Sequence, residues 1–299
     1  MQERPYRSLL FVPASRPDWM ERATRFGADA YVLDLEDAVA PDEKAAARGY
    51  AADAIPKLAA QGVGVFVRIN DLSTPHWLED LRAVTVPGLT GVSPPKIHDA
   101  GEIQTVAHVL DALEGPAGLD PGSVDIQPLL ETAKGIQAGY EVLGGSPRVR
   151  SYWAGAARDG DVNRELGSQY QLDGSDSLYA RAKLLVDGRA AGVPYPLAGT
   201  WVDLQDLDGL EAFAAESRVL GYTGMYVIHP SHVEVANRAF TPTPEELDRY
   251  RRIVAEMEAA QARGSASIQL DGVMIDIAME EYARRVLAAF RPEAEEVAR

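Results

Sequence analysis

The stretch Ala30-Tyr31-Val32-Leu33-Asp34-Leu35-Glu36, AYVLDLE, is apolar and β-branched enough for a buried strand, yet ends in carboxylates. Strand alternation separates its parts. Tyr31, Leu33 and Leu35 fall on one face and Asp34 and Glu36 on the other, so one side packs while the other carries charge. Similar short runs recur at RSLLFVP (7–13), GVFVRIN (64–70), GVSPPKI (91–97), VDIQPLLE (124–131), VRSYWAGA (149–156), PYPLAGTW (194–201) and GMYVIHP (224–230). Their starts lie roughly 25 to 45 residues apart, room for one helix and two loops per step, as repeated βα units require. Eight such units predict a TIM (β/α)8 barrel. A doubly wound open sheet is the other fold considered, but FVPASRP follows the first strand where a Gly-rich dinucleotide loop would stand.

The remaining sequence predicts an appendage. Thr243-Pro244-Glu245-Glu246 is a helix start with a Thr cap, Pro at the first position and Glu at the third, and the amphipathic pattern runs to about residue 262. Residues 1–262 are therefore expected as the barrel domain, with 263–299 as a C-terminal helical arm or lid that contains a tight turn at Asp271-Gly272 and a last helix from about Ile277.

Composition narrows the partners. At 299 residues and 46% hydrophobic content the chain can bury a large core, and a formal charge of −16 opposes binding to nucleic acid or anionic membranes. With no cysteine there is no disulfide, thiolate metal site or cysteine nucleophile, and a reducing cytoplasmic setting is the expectation. The first residues, MQERPYRSLLFVPAS, lack the apolar length of a signal or spanning segment. A soluble, unprocessed chain is expected.

Alternation places Arg68 and Asn70 of the third strand inside the barrel, with Gln127, Leu129 and Glu131 of the fifth. The C-terminal strand ends, where barrel enzymes place their chemistry, thus collect Asp34, Glu36, Asp37 and Glu131 against Arg68 and Lys96. Acids are in excess. A hard divalent cation with oxygen ligands, most simply Mg2+, would balance them. Simpler roles stand beside these: Asp34 as a structural ion-pair member, Asp37 and Asp276 as helix caps, Lys96 as an ion-pair partner or a Schiff-base amine. The loop Asp159-Gly160-Asp161-Val162-Asn163-Arg164 starts like a calcium loop but has Arg164 at the glycine position and Tyr170 where a bidentate Glu is needed. His229 and His232 lack a nearby third zinc ligand, so His229 is read as a hydrogen-bonding residue at the barrel end.

Together RSLLFVPASRPDWMERA, GADAYVLDLEDAVAPDEKAAAR, VFVRIN, PPKI, LLETAKGI, GYTGMYVIHPSHVEVANRAFTPTPEEL and DGVMID resemble the citrate lyase beta-subunit-like branch of the HpcH/HpaI aldolase family, which includes malyl-CoA lyases. The resemblance implies a Mg2+-dependent TIM-barrel lyase, homotrimeric or homohexameric, that makes or breaks a carbon–carbon bond between an acyl-CoA and a 2-oxo acid, as in malyl-CoA or citryl-CoA. It implies Glu131 and Asp161 as metal ligands, with Asp159 fitting only in a shifted register. Arg68 becomes the residue that stabilises the substrate oxyanion, and Asp276 an acid–base residue delivered by an adjacent subunit. Glu36 and Asp37 become holders of metal-bound water, and Arg16 meets the CoA moiety. Arg68, Arg16, Lys96 and Glu131 form the expected substrate-contacting set. Malyl-CoA thioester hydrolysis, or a non-catalytic citrate-lyase-like subunit or metabolite-binding role, are the alternatives. Arg68, Glu131, Asp161 and Asp276 are all present, which opposes a decayed site. Arg158 beside the metal aspartate, Ala14, Pro194-Tyr195-Pro196 and His232 depart from the common pattern and leave the oxo acid unspecified.

Overall fold

The computed structural model describes residues 5–155, 157–171 and 174–290. Each expected apolar run contains a strand: β1 (Ser8–Pro13), β2 (Ala30–Asp34), β3 (Gly64–Arg68), β4 (Gly91–Ser93), β5 (Asp125–Ile126), β6 (Ser151–Trp153), β7 (Tyr195–Ala198) and β8 (Gly224–Val227). All pair in parallel, in the order β5-β4-β3-β2-β1-β8-β7-β6. Bridges Ile126–Val149 and Leu129–Trp153 join the two ends of that order, so the sheet closes into the expected barrel. Ala156, the last residue of the sixth expected run, lies outside the described residues.

Helices follow the strands: α1 (Pro17–Arg22), α2 (Lys44–Ala59), α3 (Trp77–Val84), α4 (Ala100–Glu114), α5 (Ala133–Gln137), α6 (Gly139–Leu143), α7 (Asp161–Leu166), α8 (Leu178–Ala190), α9 (Leu207–Leu220) and α10 (Ser231–Ala239). Among the described residues no helix is long and apolar enough to cross a membrane. Tyr31, Leu33, Val65 and Val67 are fully buried, as a strand face beneath covering helices should be. Inside the barrel Phe11 stacks on Tyr226 with centroids 5.0 Å apart. Gln127 ties the interior together: its carbonyl accepts from the Tyr226 hydroxyl and from Ser93 Oγ at 3.3 Å, and its amide donates to Ser151 Oγ at 2.6 Å. A buried amide satisfied on both ends fixes the interior layer instead of destabilising it.

Three expectations are corrected. Every strand but the first stops short of the run that announces it, and for β4 and β5 the cause is that Pro94, Pro95 and Pro128 cannot donate to a ladder. Asn70 likewise lies past the end of β3, where its amide donates to Asp80 Oδ2 of α3 at 2.7 Å and to the Leu35 carbonyl at 3.0 Å. It is a structural tie rather than an interior site residue. Asp37 does not cap the next helix, since the residue preceding α2 is Glu43.

The described residues divide into two compact units, 6–240 and 241–290 with Pro5. The contact boundary thus falls at Phe240, ahead of the expected division after 262, because α11 (Pro244–Ala262) packs on α12 (Ile277–Ala289) through Ile253, Met257 and Ala283. Thr243 and Glu246 form the expected capping box. A hairpin of β9 (Ser267–Leu270) and β10 (Val273–Asp276) turns at Asp271 and Gly272, both at positive φ (51° and 82°), the two-residue geometry that Asp-Gly favours. The arm's last residues, 291–299, lie outside the described residues.

Candidate active site

In-register pairing sets Asp34 opposite Arg68 at the ends of β2 and β3. Arg68 Nε donates to Asp34 Oδ1 at 2.7 Å and Nη2 to Oδ2 at 2.6 Å, a bidentate pair. Asp34 also accepts the backbone N–H groups of Glu36 and Ala38, at 2.9 and 3.1 Å. Burial acts most strongly on its carboxyl and would raise its pKa, but the Arg68 charge and these hydrogen bonds outweigh it and hold the group below the usual range. Arg68 Nη1 lies 2.9 Å from Glu36 Oε2, an ion-pair contact without an aligned hydrogen bond. Its guanidinium carbon is 4.9 Å from the Phe11 ring centre. Burial opposes the Arg68 charge, yet Asp34 and Glu36 drive its pKa upward, so it is a permanent cation here.

Lys96 follows Pro94-Pro95 in the left-handed region, at φ 51°. That turn aims its backbone N–H at Glu131 Oε1, 3.0 Å away, while its ammonium pairs with Glu36 Oε1 and lies 3.5 Å from Asp37 Oδ2 and 3.8 Å from Asp161 Oδ2. Burial works against the ammonium, but the Glu36 hydrogen bond and charge raise its pKa above normal. A lysine held protonated is unsuited to Schiff-base chemistry, which needs the free amine. The loop after β5 is fixed by its own sequence: Thr132 caps α5 by accepting from Gly135 N, and donates to the Ile97 carbonyl at 3.0 Å. A Cβ on Gly135 would fall 2.0 Å from that same carbonyl oxygen, so only glycine allows the approach that brings Glu131 to Lys96.

Glu131 is 5% exposed, and its carboxyl is pushed up to about 8, first by burial and then by the Glu36 and Asp161 charges. Asp161 opens α7 and pairs with Arg164. It faces the Lys96 ammonium, whereas Asp159 occupies a left-handed position (φ 57°) in the preceding turn. Among the described residues no group of three His, Cys, Asp or Glu side chains is set to hold a metal by itself. Glu131 and Asp161 nevertheless offer hard carboxylate oxygens, and Mg2+ is commonly held by one or two carboxylates with water and substrate completing its shell.

Beside this cluster a cavity of about 560 Å3 opens, lined by Asp34, Arg68, Phe11, Trp19, Phe26 and Ile228 among others. Apolar walls with a few convergent charges are what small-molecule sites present. Of the expected site residues, Glu36, Asp37, Arg68, Lys96, Glu131 and Asp161 converge. Arg16 is exposed outside that convergence, its guanidinium over the ring of cavity-lining Trp19 at 4.3 Å and its Nε 3.4 Å from Asp18 Oδ1. Asp276 belongs to the other compact unit, where its side chain caps α12 by accepting from Met279 N at 3.2 Å. His229 lines the cavity and bonds Ser231 Oγ at 2.7 Å, while His232 is wholly buried with neither ring nitrogen hydrogen-bonded within the protein. The sequence by itself leaves Asp34 without a site role. The signal for its pairing lies in Asp34 and Arg68 as same-face residues near the ends of adjacent expected strands.

A closed parallel barrel with a charged cluster and a cavity at its C-terminal strand ends is the architecture of a TIM-barrel enzyme. The family model of HpcH/HpaI aldolase/citrate lyase matches residues 7–230, and the chain belongs to that family. Membership makes it a carbon–carbon lyase in class. The chain is 33% identical to the L-malyl-CoA/beta-methylmalyl-CoA lyase of Cereibacter sphaeroides, over 95% of this chain and 94% of that protein. It is 35% identical to a citrate lyase subunit beta-like protein of Deinococcus radiodurans, over 94% and 96%. The crystal structure of CitE from Mycobacterium tuberculosis, in complex with magnesium, acetoacetate and coenzyme A, superposes with a TM-score of 0.75 at 27% identity, covering 97% of this chain and all of that one.

Proposed function

We propose that the protein is a cytoplasmic Mg2+-dependent lyase that cleaves or forms a 3-hydroxyacyl-CoA from an acyl-CoA and a 2-oxo acid. The observation that carries the reading is the fixed, permanently charged Arg68 at the cavity wall beside an acid cluster that includes Glu131, whose carboxyl burial pushes up to about 8. The relatives support it, since they include a malyl-CoA lyase and a protein seen with magnesium, acetoacetate and coenzyme A.

Cleavage removes the substrate hydroxyl proton and breaks the adjacent carbon–carbon bond, whose electrons pass to the thioester enolate. That enolate then takes a proton at its α-carbon. Bound Mg2+ would supply Lewis acidity to the oxygens of the oxo-acid portion. Glu131 and Asp161 would hold the ion, with Glu36 and Asp37 orienting its water. Arg68 would donate to the oxygen on which negative charge develops, a term worth roughly 3 to 4 kcal/mol at comparable sites. Asp276, delivered by a neighbouring subunit of a trimer or hexamer, would exchange the proton with the α-carbon. Arg16, at the cavity rim over Trp19, would meet the CoA portion.

Incubation with acetyl-CoA or propionyl-CoA plus glyoxylate, pyruvate or oxaloacetate, with and without Mg2+, tests the reading by mass detection of the 3-hydroxyacyl-CoA. Mg2+-dependent condensation is expected. Free CoA appearing without acyl-CoA exchange would instead favour thioester hydrolysis, and no product from any pair with bound metal would refute the assignment.

A further inference from the structure

We propose that Asp34 is the positioning residue for Arg68 and for the loop carrying Glu36 and Asp37, an inference that rests on the lyase reading for its kinetic consequence. Each carboxylate oxygen of Asp34 has two partners: Oδ1 takes Arg68 Nε and Glu36 N, and Oδ2 takes Arg68 Nη2 and Ala38 N. At 2% exposure it has no oxygen left for a metal or substrate. What it does instead is geometric. Two parallel hydrogen bonds fix the plane of the guanidinium and occupy one edge of it. Nη1 is left to face Glu36, and the remaining N–H groups are directed away from Asp34, with both residues lining the cavity. The same carboxylate fixes the first turn of the loop beyond β2 through the Glu36 and Ala38 amides. One side chain therefore sets the distance between the cavity's arginine and the acids beside Lys96. A metal ligand or general base would keep a free oxygen, and Asp34 keeps none.

Asparagine at this position would face two arginine N–H donors with one acceptor and one donor. A glutamate would keep the charge but move it by a methylene. The test is a double-mutant comparison of Asp34→Asn and Arg68→Lys in the condensation assay. Asp34→Asn should lower kcat about 100-fold with KM changed less than about threefold, as expected for a misaligned catalytic group. In the Arg68→Lys background, which itself costs about 100-fold or more, the same substitution should cost under about tenfold, because the arginine it positions is gone and only its hold on the loop remains. An equal factor in both backgrounds would reduce Asp34 to a structural residue and overturn the proposal. Asp34→Glu covers the case of an unfolded asparagine variant: a melting temperature near wild type with kcat lowered at least about tenfold is expected. Wild-type kcat in Asp34→Glu would overturn it. If the wild type turns over no acyl-CoA and oxo-acid pair, the lyase reading fails and the positioning is read by NMR of 15N-arginine side chains. The Nε–H signal lost in Arg68→Lys should then shift in Asp34→Asn, and an unchanged signal would refute the clamp.

Discussion

Substituting Gly135 by alanine tests how the site is assembled rather than what it contains. The added Cβ would lie 2.0 Å from the Ile97 carbonyl oxygen, against 3.4 Å or more in ordinary contact, so backbone must move by about 1.4 Å. Neither side yields easily. Ile97 is 1% exposed and its carbonyl accepts from Thr132 Oγ1, while Gly135 N itself donates to Thr132. Overpacking of this kind costs roughly 1–3 kcal/mol, and a lost buried hydrogen bond about 1 kcal/mol more. For a protein of this size that is a fall of roughly 3–6 °C in melting temperature, read by circular dichroism. The same shift draws Glu131 from the Lys96 amide, so the Mg2+-induced rise in melting temperature should shrink along with activity. Wild-type melting temperature, with or without Mg2+, would refute the claim that this glycine docks the two loops.

Gly49, exposed in α2 with nothing within 4 Å of an added methyl, is the matching control: Gly49→Ala should stabilise by about 0.5–1 kcal/mol without touching activity, measured by urea unfolding. Asp125 is pushed up to about 6, first by burial against the weaker pull of Arg150 and Arg148. Because its folded pKa lies above the unfolded value, the native state holds its proton longer, and stability falls as pH rises from about 4 to 6, then levels. Asp125→Asn should flatten that segment of the stability profile by up to roughly 3 kcal/mol, and an unchanged profile would exclude Asp125 as the cause. Lys96→Met removes the ammonium between Glu36, Asp37 and Asp161, so the metal-free protein should lose up to about 3 kcal/mol while its Mg2+-induced thermal shift grows. A smaller Mg2+ shift than wild type would show Lys96 supporting rather than opposing the cation.

The barrel was legible because its strands announce themselves by period and spacing, and every expected run holds one. Their C-terminal limits were not. GVSPPKI reads as one extended run, yet pairing ends at Ser93, and Pro94-Pro95 carry the chain into the left-handed turn at Lys96. Extended backbone and hydrogen-bonded strand share one sequence pattern, so overrun is built into the reading. Asn70 was misplaced for the same reason, since alternation has no meaning beyond Arg68. Glu36, Arg68, Lys96 and Glu131 could be grouped in advance because each follows or ends a strand on one rim of the barrel. The partner of each could not, because it depends on register and loop conformation. The division at Phe240 was hidden too: the capping box of α11 marks where a helix begins and says nothing of which neighbour its apolar stripe will cover.

The charge balance of the cluster explains why its acids differ. Asp34, Glu36 and Glu131 are buried against Arg68 and Lys96, one anion in excess. Asp34 takes the guanidinium's bidentate edge, and Glu36 takes one contact from each cation. Asp161 stands between Arg164 and Lys96. Glu131 is left with a backbone amide, so burial first and the Glu36 and Asp161 charges next push its carboxyl up to about 8, while the Arg68 pairing holds Asp34 below its usual range. Protonation of Glu131 or one added cation would each relieve the excess. Only the cation would also draw Asp161 toward Glu131, so the two are told apart by whether the Mg2+-induced thermal shift is lost in Glu131→Gln and Asp161→Asn alike, as the proposed ligand pair requires.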